Sequence, residues 1–200
     1  ATQTAANTPT ASPTDPIGPP WFGGTLAGMY NGTTYYGNCT NGFVITDYNN
    51  PGSRYMLTAG HCWHVPNGPW VNLPNKVVGA DHAGQPSTTV QGGGAGYLYD
   101  PLNTEVDLGI FRVVNDQAAN KVCHPTNGTC YGVTSMSSGT QVGQLLYRIG
   151  ATSRNITSEK VLSTSASLPN GFDNLIKTSH SIKHGDSGGP LYKLNPDGKA

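Results

Sequence analysis

The sequence predicts an all-β protein, and three observations carry that expectation. Gly, Thr, Asn and Ser number 27, 22, 17 and 14 of 200 residues, together 40% of the chain, while the helix formers Glu, Lys and Arg are scarce. From Trp21 onward, short apolar or alternating runs recur between turn signals, at the spacing of a β-sandwich or β-barrel. No apolar run approaches the roughly 18 residues of a membrane span.

Residues 1–20, ATQTAANTPTASPTDPIGPP, hold five Pro, five Thr and almost no large apolar side chain, so a disordered tail or linker is expected there. The runs TLAGMY, GFVITD, RYMLTA, KVVGA, GYLY and VDLGIFRVV then form one group of strands. VGQLLYRIG, EKVLSTSA, NLIKTS and GPLYKL form a second. The polar stretch 115–129 separates them, which predicts two β units, 21–118 and 119–200. Only a short segment at 116–122 reads as weakly helical. The glycine cluster QGGGAG at 91–96 lacks the Lys-Ser/Thr pair and following helix of a phosphate cradle, and a flexible surface loop is expected instead.

Eleven basic and eleven acidic residues cancel, so neither a nucleic acid nor a membrane surface is an expected partner. Four cysteines in a low-charge, turn-rich chain fit an oxidising compartment, and a secreted protein whose export signal has been removed is expected. Cys123 and Cys130 bracket the turn-like PTNG and are expected to pair, leaving Cys39 for Cys62. Sequons begin at Asn31, Asn38, Asn127 and Asn155, close to the number chance provides.

Three segments bear chemistry. In YMLTAGHCW an apolar strand ends in a small-residue turn that delivers His61 beside Cys62, whose disulfide would pin the local backbone. In EVDLGIFRVV, Asp107 enters a strand apolar on both faces, where a carboxylate needs a partner, and an imidazole donating through one ring nitrogen would serve. In HGDSGGPLY, three glycines around Ser187 permit positive φ and let backbone N–H groups converge on one point, as an oxyanion requires. A serine hydroxyl becomes a nucleophile only with a base to take its proton, so the three segments are informative as a set.

The set resembles the trypsin/chymotrypsin-like serine peptidases, through TAGHC at Thr58 to Cys62, DLGIF at Asp107 to Phe111 and GDSGGP at Gly185 to Pro190, and is closest to the secreted bacterial-type members. That resemblance implies two antiparallel six-stranded β-barrels with the site in the cleft between them, His61 and Asp107 on the first and Ser187 on the second. It implies Ser187 as nucleophile, His61 as general base then acid, Asp107 as orienting carboxylate, and the N–H groups of Gly185 and Ser187 as oxyanion donors. It also implies a buried Asp186 paired with a cation, for which Arg148 in LLYRIG is the candidate, and a substrate-pocket base near Ser181. Thirteen residues follow Ser187, where the family adds two strands and a helix, so the second barrel is expected to be incomplete.

The implied activity is that of a secreted, monomeric serine endopeptidase acting on proteins or peptides, with no cofactor and no metal. GDSGG also satisfies the G-x-S-x-G elbow of α/β-hydrolases, but that class needs its acid and histidine after the serine, and no histidine follows Ser187. A metal site of His61, His64, Cys39 and Cys62 would consume cysteines better used in a disulfide. The alternative from another class is a peptidase-like secreted binding or structural module without catalysis.

Overall fold

A computed structural model describes residues 20–31, 34–63, 76–80, 86–99, 107–123, 130–137, 139–154, 156–169, 173–197 and 199–200. The expected tail, apart from Pro20, the PTNG turn, His64, and the sequon asparagines Asn127 and Asn155 lie outside them. Fourteen strands follow one another among the described residues: β1 (Trp21–Gly23), β2 (Leu26–Asn31), β3 (Thr34–Thr40), β4 (Val44–Thr46), β5 (Arg54–Thr58), β6 (Lys76–Ala80), β7 (Pro86–Tyr99), β8 (Asp107–Val113), β9 (Ala118–Cys123), β10 (Cys130–Gly132), β11 (Leu145–Ile149), β12 (Ile156–Ala166), β13 (Leu175–Thr178) and β14 (Leu191–Tyr192). The only helical pieces among these residues are two 3₁₀ turns, Gly60–Trp63 and Val114–Asp116. The protein is all-β.

One seven-stranded antiparallel sheet has the order β3-β2-β6-β7-β8-β5-β4. Its two edge strands, β3 and β4, are separated in sequence only by residues 41–43, so the sheet must curl until its edges nearly meet. Seven strands arise because one is interrupted: at Asn41 to Phe43 the chain leaves β2 and passes to β5, with Gly42 N–H donating to the Leu57 carbonyl and Leu57 N–H to that of Phe43. A second sheet, β13-β12-β11-β14, is antiparallel and four-stranded. A third runs β1-β9-β10, with β1 parallel to β9.

Two sequence expectations are corrected here. Past Asp116, which ends the second 3₁₀ turn, the segment 116–122 is not helical: β9 pairs with strands on both sides, and burying Val122 and Cys123 outweighs the weak helical preference of Ala-Ala-Asn-Lys. The QGGGAG cluster is not a surface loop either. It lies inside β7, between β6 and β8, and the register slips on both sides around these glycines, as irregular strand geometry with no Cβ allows.

The core has two main parts. Trp21, Ala27, Met29, Met56, Phe111 and Val113 pack with the Cys39–Cys62 disulfide inside the curled sheet. Val122, Ile149 and Tyr192 pack with Phe43, Tyr131 and Tyr147 in the other. β9 contributes Ala118 to the first and Val122 to the second, and its last residue is joined to β10 by the Cys123–Cys130 disulfide.

Candidate active site

β5 and β8 are hydrogen-bonded neighbours, with Thr58 opposite Gly109, so the turn after β5 and the start of β8 meet at one end of the sheet. That end brings His61 to Asp107. His61 sits in the Gly60–Trp63 turn, its backbone braced by Cys62 bonded to Cys39 of β3. Its N–H donates to Asp107 Oδ1 at 2.7 Å, and its Nδ1 lies 2.6 Å from Asp107 Oδ2. Asp107 is the first residue of β8 rather than a mid-strand residue, and its side chain is 30% exposed. The carboxylate is therefore satisfied by the imidazole and by backbone, while keeping an edge toward solvent.

The pair's electrostatics follow from that contact. The Asp107 hydrogen bond raises the His61 pKa above its ordinary value, burial works the other way, and the Asp107 charge adds to the rise. Burial pushes the Asp107 carboxyl up, but the His61 hydrogen bond, the imidazole's charge and the backbone N–H groups of His61 and Gly60 together bring it below its usual range. With Nδ1 committed to Asp107, Nε2 is the ring nitrogen left to exchange a proton.

Ser187 lies in a loop whose flanking glycines make left-handed turns, Gly185 at φ +92° and Gly188 at φ +84°. A Cβ on Gly185 would stand 2.1 Å from Thr152 Oγ1, and one on Gly188 2.2 Å from Thr58 Oγ1, so only glycine fits either place. Ser187, Gly185 and His61 line one cavity of about 440 Å³, together with Asn38, Thr152 and His184. Among the described residues neither the Gly185 nor the Ser187 N–H donates to a protein acceptor.

Asp186, 3% exposed, is turned into the protein. Its Oδ1 accepts from the N–H groups of Thr152 and Ser153 at 3.1 and 2.8 Å, and its Oδ2 from Lys183 N–H at 3.0 Å and Arg148 Nη1 at 3.5 Å. Arg148 is shared: its Nε donates to Oε1 of Glu159, 1% exposed, which also accepts from Thr178 Oγ1. Arg148 Nη2 donates to the Ser181 carbonyl at 3.2 Å. Ser181 is exposed and does not reach the cavity wall.

Sequence reasoning did not single out Glu159, Thr40, Thr152 or His184, and it marked Asn38 only as the start of a sequon. His184 had a signal, standing three residues before Ser187 in the same glycine-rich stretch. The others take their roles from contacts distant in sequence.

Comparison with known proteins places the chain. The trypsin family model matches residues 28–197. Serine protease 2 of Streptomyces fradiae is 31% identical over 160 residues, covering 78% of this chain and 80% of that protein. Among solved structures, a glutamic acid-specific serine protease described as using a histidine triad in substrate binding superposes with a TM-score of 0.62 at 26% identity, over 86% of this chain and 79% of that one. A Nocardiopsis protease shares the fold, with a TM-score of 0.60 at 24% identity over 85% of this chain and 77% of its own. With the family model matching residues 28–197 of this chain and a serine protease this similar, the chain belongs to the trypsin family of serine-type endopeptidases.

Proposed function

We propose that the protein is a secreted endopeptidase that hydrolyses peptide bonds through an acyl-enzyme, with His61, Asp107 and Ser187 as its triad. The observation that carries the proposal is the 2.6 Å contact from His61 Nδ1 to Asp107, on an imidazole that shares a cavity with Ser187. His61 and Asp107 belong to the unit 21–118, and Ser187 to the unit 119–200. Family membership supplies the peptide substrate, and two disulfides favour an oxidising compartment.

The proposed chemistry follows the roles assigned to the triad. His61 Nε2 takes the proton of Ser187 Oγ as the oxygen attacks the substrate carbonyl, and the imidazolium that forms is stabilised by Asp107. The carbonyl oxygen, now negative, is received by the N–H groups of Gly185 and Ser187, a contribution of about 3 kcal/mol per donor. His61 then returns the proton to the leaving amine. A water activated by the same nitrogen cleaves the ester that remains. Arg148 and Asp186 keep the loop folded beneath these donors.

Reaction with a fluorophosphonate probe tests the proposal without knowledge of cleavage preference, because only an activated serine beside an oxyanion site reacts rapidly. Rapid labelling that disappears in Ser187→Ala and in His61→Ala is expected. An oxidised, folded protein that does not label would be a peptidase-like module instead.

A further inference from the structure

Asp186 fastens the Ser187 loop to its own side of the molecule, through Arg148 and the turn after β11. From the other side the loop is held by Thr40, a fully buried residue at the end of β3. Thr40 Oγ1 donates to the Gly185 carbonyl at 2.7 Å and accepts from Ala151 N–H at 3.0 Å. Thr40 N–H donates to the Ser187 carbonyl at 2.8 Å, and the Thr40 carbonyl accepts from Thr58 Oγ1 at 3.0 Å. A hydroxyl has one proton, so receiving from Ala151 and giving to Gly185 sets its direction. One oxygen thereby ties β3, the turn after β11 and the Ser187 loop together.

The peptide unit is planar, so fixing a carbonyl fixes the N–H across the same bond. Gly189 N–H donates to the Asp186 carbonyl at 3.0 Å, which sets the plane holding the Ser187 N–H. Thr40 grips the carbonyls on either side, at Gly185 and Ser187. Gly185 is held by that grip on its carbonyl side only, since its carbonyl shares a peptide plane with the Asp186 N–H and not with its own. Its φ of +92° lies where a glycine is free to rotate, and its N–H is one of the two proposed oxyanion donors.

We propose that Thr40 is a positioning residue for the oxyanion-binding loop, acting from the seven-stranded sheet through its side-chain hydroxyl. This rests on the reading of Ser187 as nucleophile and of the Gly185 and Ser187 amides as oxyanion donors. Those donors face a full negative charge, on the substrate oxygen, only in the transition state, so loosening them lowers kcat and leaves KM nearly unchanged.

The test measures kcat and KM on a peptide chosen from the parent protein's own cleavage of casein, with thermal unfolding followed in parallel. Thr40→Val keeps the shape and removes the hydroxyl, Thr40→Ala removes it with less crowding, and Thr40→Ser retains it. Val and Ala are expected to lower kcat on the order of 10- to 100-fold with KM within about twofold, and Ser to stay within about threefold of the parent. A folded Val or Ala variant with kcat within threefold of the parent overturns the proposal. So does an equal fall in Ser, or failure of both Val and Ala to fold, which would make the contact purely architectural. Ser187→Ala, assayed alongside, separates the two readings: activity surviving there removes the catalytic mechanism itself, whereas loss there beside an unaffected Thr40→Val removes only the role of Thr40.

Discussion

Asp107→Asn removes one charge and almost no volume, and the contacts of Asp107 determine what it should do. In the parent, both carboxylate oxygens accept from His61, Oδ1 from the backbone N–H and Oδ2 from Nδ1. An asparagine can satisfy the backbone donor with its single oxygen, which turns its NH₂ toward Nδ1. Two donors cannot face each other at 2.6 Å, so the imidazole adopts the other tautomer and carries its proton on Nε2. That is the nitrogen required to accept from Ser187. The ring remains in place but can no longer act as base, and the imidazolium loses its counter-charge. A loss of about 10⁴ in kcat is expected, which at about 1.36 kcal/mol per decade corresponds to about 5.4 kcal/mol of transition-state stabilisation. The second-order rate of fluorophosphonate labelling gives the same comparison without a chosen substrate, and circular dichroism checks the fold. A folded Asp107→Asn protein that labels within tenfold of the parent would refute the assigned roles.

Two further outcomes follow from the electrostatics. The His61 pKa is raised, chiefly by its hydrogen bond to Asp107, so the labelling rate should climb with pH through an apparent pKa above the ordinary imidazole value of about 6.5, and a midpoint below that value would contradict the pairing. The same shifts fix how the pair stabilises the fold. A raised His61 pKa stabilises fully below the unfolded value and ceases to do so as pH rises through the folded one, whereas a lowered Asp107 pKa stabilises above its unfolded value and ceases to as pH falls through the folded one. The stability difference between parent and Asp107→Asn should therefore be largest between about pH 4 and pH 6.5 and smaller at pH 9, as urea unfolding can measure. Arg148→Met strands Asp186 and Glu159, both buried, without their shared cation. A cost of about 3–5 kcal/mol is expected, a fall in Tm of roughly 6–20 °C by differential scanning fluorimetry, and an unchanged Tm would show that the cation is dispensable.

How much of this was legible beforehand depended on how local each signal was. The stretches around His61, Asp107 and Ser187 could be read because each places a reactive side chain among neighbours in the chain that explain it: a strand end before His61, an apolar strand after Asp107, glycines around Ser187. Most strand runs were readable by alternation, from TLAGMY to GPLYKL. β1, β3, β9 and β10 were not: β3 is rich in Asn, Gly and Tyr, and the other three are short or weakly apolar and owe their pairing to distant partners or to the Cys123–Cys130 bond. Glu159 illustrates the limit most clearly. In EKVLSTSA it reads as the solvent-facing member of an alternating strand, yet it is buried, because an arginine eleven residues earlier occupies the facing strand. The QGGGAG glycines mislead in the opposite direction: composition favours a loop, but hydrogen-bonding strands on both sides hold them extended.

The site also explains why so many small and hydroxylated residues gather where the two cores approach each other. His61 and Asp107 are set by the curled sheet, and Asp186 fastens the Ser187 loop to the strands beyond it. What joins the halves at the cavity is a set of short directional contacts: Thr40 to Gly185 and Ser187, Ala151 to Thr40, and Gly188 against Thr58 at a distance no Cβ would tolerate. Apolar packing alone would set the separation of two such bodies but leave them some freedom to slide, because it is non-directional. Hydrogen bonds weaken steeply once bent or stretched, so three of them converging on Thr40 and the Ser187 loop fix position as well as distance. A nucleophile on one body and its base on the other need that degree of registration, since an error of about 1 Å is enough to cost roughly a hundredfold in rate.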